Sequence, residues 1–296
     1  MINSLLPTMR VIAYPMKTKF RGITVREVAI FESDFGLVEF SPFPEYDDQE
    51  SAQWLKCTLE AATGKDFPIH RSSVAMNGTI PESNDRDVVK ELITSYGDVG
   101  TYKVKVGENL SSDIARLAMV RSAKPRAKIR IDVNGSWSAS KAITNLRAIY
   151  ENIGQIEYVE QPCLTLDELR KVKAELKVPI RIAADEVVRK ATDPFAIDLS
   201  GAADIIILKV QPLGGIERSL NIAEHHQLPA VVSSALESQV GLNYGIRLAQ
   251  SLPQLDFDCG LATARLFSGE GVDVSADRYE WWKNRVMRCA EVIDNE

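Results

Sequence analysis

YKVKV (102–106), IRIDV (129–133), IEYVE (156–160), RIAAD (181–185) and ADIIILK (203–209) are five apolar runs, each with a charged residue at or near its C-terminal end. The charges are Lys105, Asp132, Glu160, Asp185 and Lys209, at intervals of 27, 28, 25 and 24 residues. Each interval accommodates one strand, one loop and one helix. Strands this apolar are buried on both faces, where a charge is costly unless it serves a site. One strand-end charge is ordinarily paired for solubility. Five at regular spacing, in the order base, acid, acid, acid, base, imply a shared mouth. In a closed parallel barrel the C-terminal strand ends converge there. An open doubly wound sheet is the competing arrangement, but it gathers its ligand chemistry at one switch point rather than at five successive strand ends.

Outward from these runs the alternation continues. SVAMNGTI (73–80) is expected as the first strand, stopped by Pro81, and 230–233 and 255–259 as the seventh and eighth. Helices are expected at 84–96, at about 111–123, after Ser138, after Thr165 with Glu168 completing a capping box, over 193–200, and after Gly215. Residues before 73 are of another kind. Two strand-like runs, 25–33 and 36–43, flank a turn at Asp34–Gly36, and a helix at about 48–63 has Asp47 or Asp48 as its cap and Gly64 at its end. The stretch from about 270 does not repeat the barrel pattern and is expected to return to this small α+β domain.

The 296 residues, 45% hydrophobic and 26% charged, suffice for one large domain or two unequal ones. A net charge of −6 with scattered basic residues gives no footprint for nucleic acid. No apolar run approaches the length of a membrane span, and the N-terminal stretch lacks the pattern of a secretory signal. Cys57, Cys163, Cys259 and Cys289 form no CxxC pair, which suits free thiols and a cytoplasmic location. Nothing in the pattern sets an oligomeric state; a monomer is compatible with it.

Asp132, Glu160 and Asp185 come with no nearby histidine and no cysteine pair to serve as ligands, so an all-oxygen site for Mg²⁺, with Mn²⁺ as a substitute, is expected. Without a cation, three clustered carboxylates would repel and at least one would hold its proton. His225–His226 falls at a helix end and reads as a dipole partner rather than a ligand pair. Lys103 and Lys105, two apart on a strand, share a face, and a neighbouring ammonium lowers the pKa of Lys105 toward that of a usable base. Two lysines flanking three carboxylates point to removal of a proton next to a carboxylate, with a metal holding the resulting enediolate.

The chain resembles the enolase superfamily, and within it the actinobacterial o-succinylbenzoate synthases. The matching stretches are FRGITVRE (20–27), EFSPFPEYDD (39–48), KVKVG (103–107), RIDVNGSW (130–137), YVEQPC (158–163), IAADE (182–186), LKVQPLGG (208–215), SSALESQVGL (233–242) and CGLATARL (259–266). A lysine or histidine base with Mg²⁺ is the general design of such sites. The resemblance implies Lys105 as the base, Lys103 as its electrostatic neighbour, and Asp132, Glu160 and Asp185 as metal ligands. It also implies Asn134 and Glu186 as supports of the metal shell, and Lys209 as a stabilising cation on the opposite face. Ser233, Ser234, Gly260 and Leu261 match positions beside the small-molecule carboxylate substrate. Arg21, Arg26, Glu39 and Tyr46 are candidate contributors from the small domain. The implied architecture is a (β/α)7β-like modified TIM barrel, 73–269, with an α+β capping domain, 1–72, completed by the segment 270–296. The implied reaction is syn loss of water from 2-succinyl-6-hydroxy-2,4-cyclohexadiene-1-carboxylate, in menaquinone biosynthesis. The two-lysine chemistry equally permits N-acylamino acid racemisation, dipeptide epimerisation or muconate cycloisomerisation, and SSALES with CGLAT separates these in favour of dehydration. A non-catalytic barrel that binds without turnover is the alternative of another class.

Overall fold

The computed structural model describes residues 1–296. A short helix α1 (Ile2–Leu5) leads into three antiparallel strands, β1 (Arg10–Phe20), β2 (Ile23–Ser33) and β3 (Gly36–Phe40). The β1–β2 turn consists of Arg21 and Gly22, both at positive φ (49° and 84°), as a tight twisted hairpin requires. Helix α2 (Asp48–Ala62) follows. Asp47 caps it by accepting from the Glu50 amide at 2.7 Å, and Trp54, Leu55 and Thr58 form its buried stripe.

The alternating part runs β4 (Gly78–Ile80), α3 (Arg86–Ser95), β5 (Thr101–Lys105), α4 (Leu110–Ala123), β6 (Lys128–Asp132) and α5 (Ala139–Ile153). It continues with β7 (Tyr158–Glu160), α6 (Leu166–Glu175), β8 (Arg181–Ala184), α7 (Glu186–Arg189), β9 (Ile205–Leu208), α8 (Ile216–His226), β10 (Ala230–Val232) and α9 (Gln239–Ser251). Side chains cap the helices: Ser138 and the Thr165–Glu168 box, as expected, and also Asp85, Asn109 and Ser238. The seven strands form one parallel sheet in the order β10-β9-β8-β7-β6-β5-β4. Parallel bridges Met76–Cys259 and Ser233–Gly260 join its two edges, so the sheet curls closed as a modified (β/α) barrel. Register pairs Lys105 with Asp132 and Asp132 with Glu160, placing the charges at one level of the mouth. The chain ends in β11 (Val272–Asp273), which pairs with β1, and α10 (Ala276–Asp294), which packs on α2.

Three expectations need correction. Residues 193–200 form turns, not a helix. The Asp193 and Asp198 carboxylates accept from the Phe195 and Ser200 amides at 2.9 Å, local bonds that compete with a helix ladder. The eighth strand is reduced to the bridges at Cys259 and Gly260. A long strand, β1, lies where none was expected. Its central Pro15 has no amide to donate, the register shifts beyond it, and proline ordinarily marks an edge or irregular strand. No helix is long and apolar enough to cross a membrane.

Candidate active site

Each charged residue sits where a strand meets its following loop. Lys103 and Lys105 lie on β5, Asp132 and Glu160 end β6 and β7, and Asp185 and Lys209 follow β8 and β9 directly. Lys103 Nζ lies 3.0 and 3.1 Å from the two Glu160 oxygens and 3.3 Å from Asp132 Oδ2. Lys105 donates to Asp132 Oδ2 at 2.8 Å and to Asn134 Oδ1. Lys209 donates to Asp185 Oδ2 at 2.5 Å and stands 3.9 Å from Glu160. Arg189, on α7, binds Asp185 Oδ1 at 3.1 Å and Glu186 Oε1 at 3.0 Å. Asn134, in a left-handed conformation (φ 51°), donates to the same Glu186 oxygen at 3.0 Å.

Burial opposes ionisation of all three strand-end carboxylates, and the lysines decide the outcome. At Asp132, Lys105 and Lys103 override burial and hold the carboxyl far below the usual range. At Asp185, Lys209 and Arg189 do the same, bringing it to about 2. Glu160 is pushed up to about 7, first by burial and then by the Asp132 charge beside it. Burial also lowers Lys105, with Lys103 adding to the effect against the pull of Asp132. Lys103 itself is raised, because Glu160 and Asp132 outweigh its burial.

No three carboxylates stand close enough to form a ligand cluster; Glu160 is paired with Lys103, Asp132 with Lys105 and Asp185 with Lys209. The donor set nevertheless fits a hard cation: three buried carboxylates at successive strand ends, with a buried Glu186 Oε2 beside Asp185 that has no hydrogen-bond partner.

These groups open on a narrow cavity between the barrel mouth and the small domain. Lys103, Lys105, Asp132, Asn134, Lys209, Ser233, Ser234 and Gly260 line it. The small domain contributes Phe20, Arg21, Phe43 and Tyr46. The Arg21 guanidinium stacks 4.2 Å from the Phe43 ring centre and donates to the Tyr46 hydroxyl at 3.0 Å. Leu261 does not line the cavity: its side chain is buried in the barrel core, where it packs over Gly245. Arg26 and Glu39 also lie outside the lining. Arg26 donates to the Leu236 carbonyl at 3.0 Å and Glu39 accepts from Ser238, so both join the small domain to the barrel. Thr79, Arg189 and Leu236 line the cavity and were not anticipated; Thr263, from the CGLATARL stretch, lines it too. Thr79 belongs to the same strand-end set, one strand earlier, but carries no charge to mark it. Thr263 shares a hydrogen bond of 2.7 Å with Ser234. His225 and His226 end α8, away from the cavity, with His226 Nε2 2.8 Å from the Pro194 carbonyl.

Residues 85–280 match the enolase C-terminal domain-like family and residues 11–62 the enolase N-terminal domain-like family. An o-succinylbenzoate synthase of Mycobacterium ulcerans is 39% identical over 99% of this chain and 96% of its own length. That of Thermobifida fusca is 45% identical over 90% of this chain and 83% of its own. Among solved structures, the substrate-liganded L-Ala-D/L-Glu epimerase of Bacillus subtilis superposes with a TM-score of 0.74 at 22% identity, over 88% of this chain and 90% of that one. The muconate lactonizing enzyme of Pseudomonas putida superposes with a TM-score of 0.69 at 19% identity, over 88% of each chain. At such identities these two likenesses concern the fold alone.

Proposed function

Because the chain belongs to the o-succinylbenzoate synthase family of the enolase superfamily, we propose that it removes water from 2-succinyl-6-hydroxy-2,4-cyclohexadiene-1-carboxylate to give 2-succinylbenzoate, a menaquinone precursor. The observation that carries the chemistry is the placing of Lys105 and Lys209 on strands four apart in the sheet, lining one cavity, with three carboxylates between them.

Lys105 is the base. It takes the proton next to the substrate carboxylate, and burial and Lys103 favour its neutral form. The hydroxyl leaves from the same face, where the newly protonated Lys105 stands as the acid. Lys209 keeps its charge beside the anionic intermediate. Ser233 and Ser234 offer hydroxyls to the succinyl or carboxylate end of the substrate. Gly260 allows the close approach behind them, since a Cβ there would lie 2.5 Å from Ser233 Oγ. Aromatisation of the ring drives the reaction forward.

Members of this superfamily are generally divalent-metal dependent. Asp132, Glu160 and Asp185 would hold the ion, Mg²⁺ before Mn²⁺, with Asn134 and Glu186 supporting them. Once bound, it supplies positive charge against the negative charge that builds on the substrate carboxylate. The proposed division of labour assigns 1–72 with 270–296 to the cap and 73–269 to the barrel. Pairing of β11 with β1 and packing of α10 on α2 support it. Four unpaired buried thiols favour a cytoplasmic location.

The test is direct. Protein, Mg²⁺ and the cyclohexadiene carboxylate are mixed, and the aromatic product is followed by ultraviolet absorbance. Turnover no faster than background, with efficient racemisation of N-acylamino acids, overturns the dehydration and leaves the superfamily in place.

A further inference from the structure

LKVQPLGG (208–215) and SSALESQVGL (233–242) each run into the start of a barrel helix, and both starts face the cap. Helix α8 has no side-chain cap of its own. The amides of Ile216 and Glu217 donate instead to the two carboxylate oxygens of Glu60, on cap helix α2, at 2.5 and 3.1 Å. The Tyr244 hydroxyl of α9 donates to the same carboxylate at 2.8 Å. Gly215 is required for this approach: it adopts φ 123°, and a Cβ would stand 2.3 Å from Glu60 Oε1. Glu39, on β3, treats α9 in the same way, accepting from the Gly241 amide at 3.0 Å and the Ser238 hydroxyl at 2.5 Å. Two glutamates of the cap therefore occupy the amide ends of two barrel helices, where negative charge is favoured.

The connection from Glu60 to the reacting centre is short. In the loop between β9 and α8, the Gly215 amide donates to the Val210 carbonyl at 2.9 Å and the Leu213 amide to the Lys209 carbonyl at 3.1 Å. Cap residues hold both the rest of this loop and the first turn of α8. Gln211 Oε1 accepts from the Ser41 amide at 3.3 Å, and Gln53 Oε1 accepts from Arg218 at 2.6 Å. The backbone of Lys209 is thus fastened to the same turn that the cap grips.

We propose that Glu60 is a positioning residue for Lys209: by capping α8 from the other domain it fixes the 209–215 turn, so that docking of the cap sets the Lys209 ammonium in the site. The inference rests on the dehydration reading for its kinetic readout but not for its structural one. Glu60 is only partly buried, so replacing it leaves the core intact, whereas Glu39 is buried in a network and is the poorer target.

The experiment uses full-length protein with Mg²⁺. In Glu60→Ala, amide hydrogen exchange at Ile216 and Glu217 should accelerate. At saturating substrate kcat should fall by roughly ten- to a hundredfold, the scale of a small misplacement of a charged group, with KM changing far less. Glu60→Gln keeps one acceptor oxygen and should recover part of kcat. Lys65→Ala, which removes an exposed 2.8 Å ion pair to Glu217 at the same helix end, should leave kcat unchanged. Faster exchange with wild-type kcat, or a change in KM alone, overturns the proposal. If Glu60→Ala does not fold, Glu60→Gln decides: wild-type kcat in that variant overturns the proposal too. Failure of the dehydration reading is distinguishable, because the wild-type protein would then show no dehydratase turnover at all.

Discussion

Replacing Lys209 separates dehydration from racemisation. The residue is 7% exposed, and its ammonium lies 2.5 Å from Asp185 and 3.9 Å from Glu160. Held about 4 Å from a developing anion, one charge contributes ~4 kcal/mol at an effective dielectric of about 20. That corresponds to roughly a thousandfold in rate. Lys209→Met should therefore lose about three orders of magnitude in kcat for the aromatic product. Lys209→Arg keeps the charge and should lose only on the order of tenfold, from its different shape. Racemisation demands more of this residue, since each lysine must act as base for one enantiomer and as acid for the other. Arginine titrates above about 12 and exchanges protons poorly, so Lys209→Arg should abolish any racemase activity, and Lys105→Arg should abolish both reactions. Dehydration is read by ultraviolet absorbance and racemisation by deuterium uptake at the α-carbon of an N-acylamino acid in D₂O. A crystal structure of Lys209→Arg, with the guanidinium against Asp185, rules out gross displacement. Equal losses of dehydration in the Arg and Met variants, or racemisation surviving Lys209→Arg, would refute the assignment of Lys209 as a stabilising charge.

Exhaustive chelation should abolish turnover, and Mg²⁺ should restore it; full activity in metal-free protein would reject the metal assignment. Arg21→Ala removes the Phe43 stack and the Tyr46 hydrogen bond at the cap side of the cavity, and should raise KM without changing the Mg²⁺ concentration needed for half-activity. Glu237 is pushed up to about 7 by burial and by Glu39, so the folded state holds its proton where the unfolded chain, titrating near 4.3, has lost it. Its contribution to stability is present below pH 4.3 and is lost as pH rises towards 7. Glu237→Gln should accordingly raise Tm at pH 8, by roughly 2–4 °C per kcal/mol, and make no difference near pH 4; a gain that grew on acidification would contradict that sign.

The strand-end series was legible because its signal is local. Apolar runs of strand length and their terminal charges lie within a few residues of one another, and parallel topology then brings the ends together without further information. Helix starts were legible for the same reason: Asp47, Ser138 and Thr165 each bond to the amide three residues ahead. The tertiary structure decided how the charges are shared. That Lys103 stands between Glu160 and Asp132, while Lys209 takes Asp185, follows from side-chain reach across neighbouring strands, which spacing along the chain does not encode. It also turned Leu261 into the core and placed Ser233, Ser234 and Gly260 on the cavity, because the Met76–Cys259 and Ser233–Gly260 bridges, not a full eighth strand, close the sheet. Arg26, Glu39 and Glu60 are ordinary polar residues in sequence. Their partners lie on the far side of the domain interface, so their burial and capping roles exist only once the cap has docked and desolvated them.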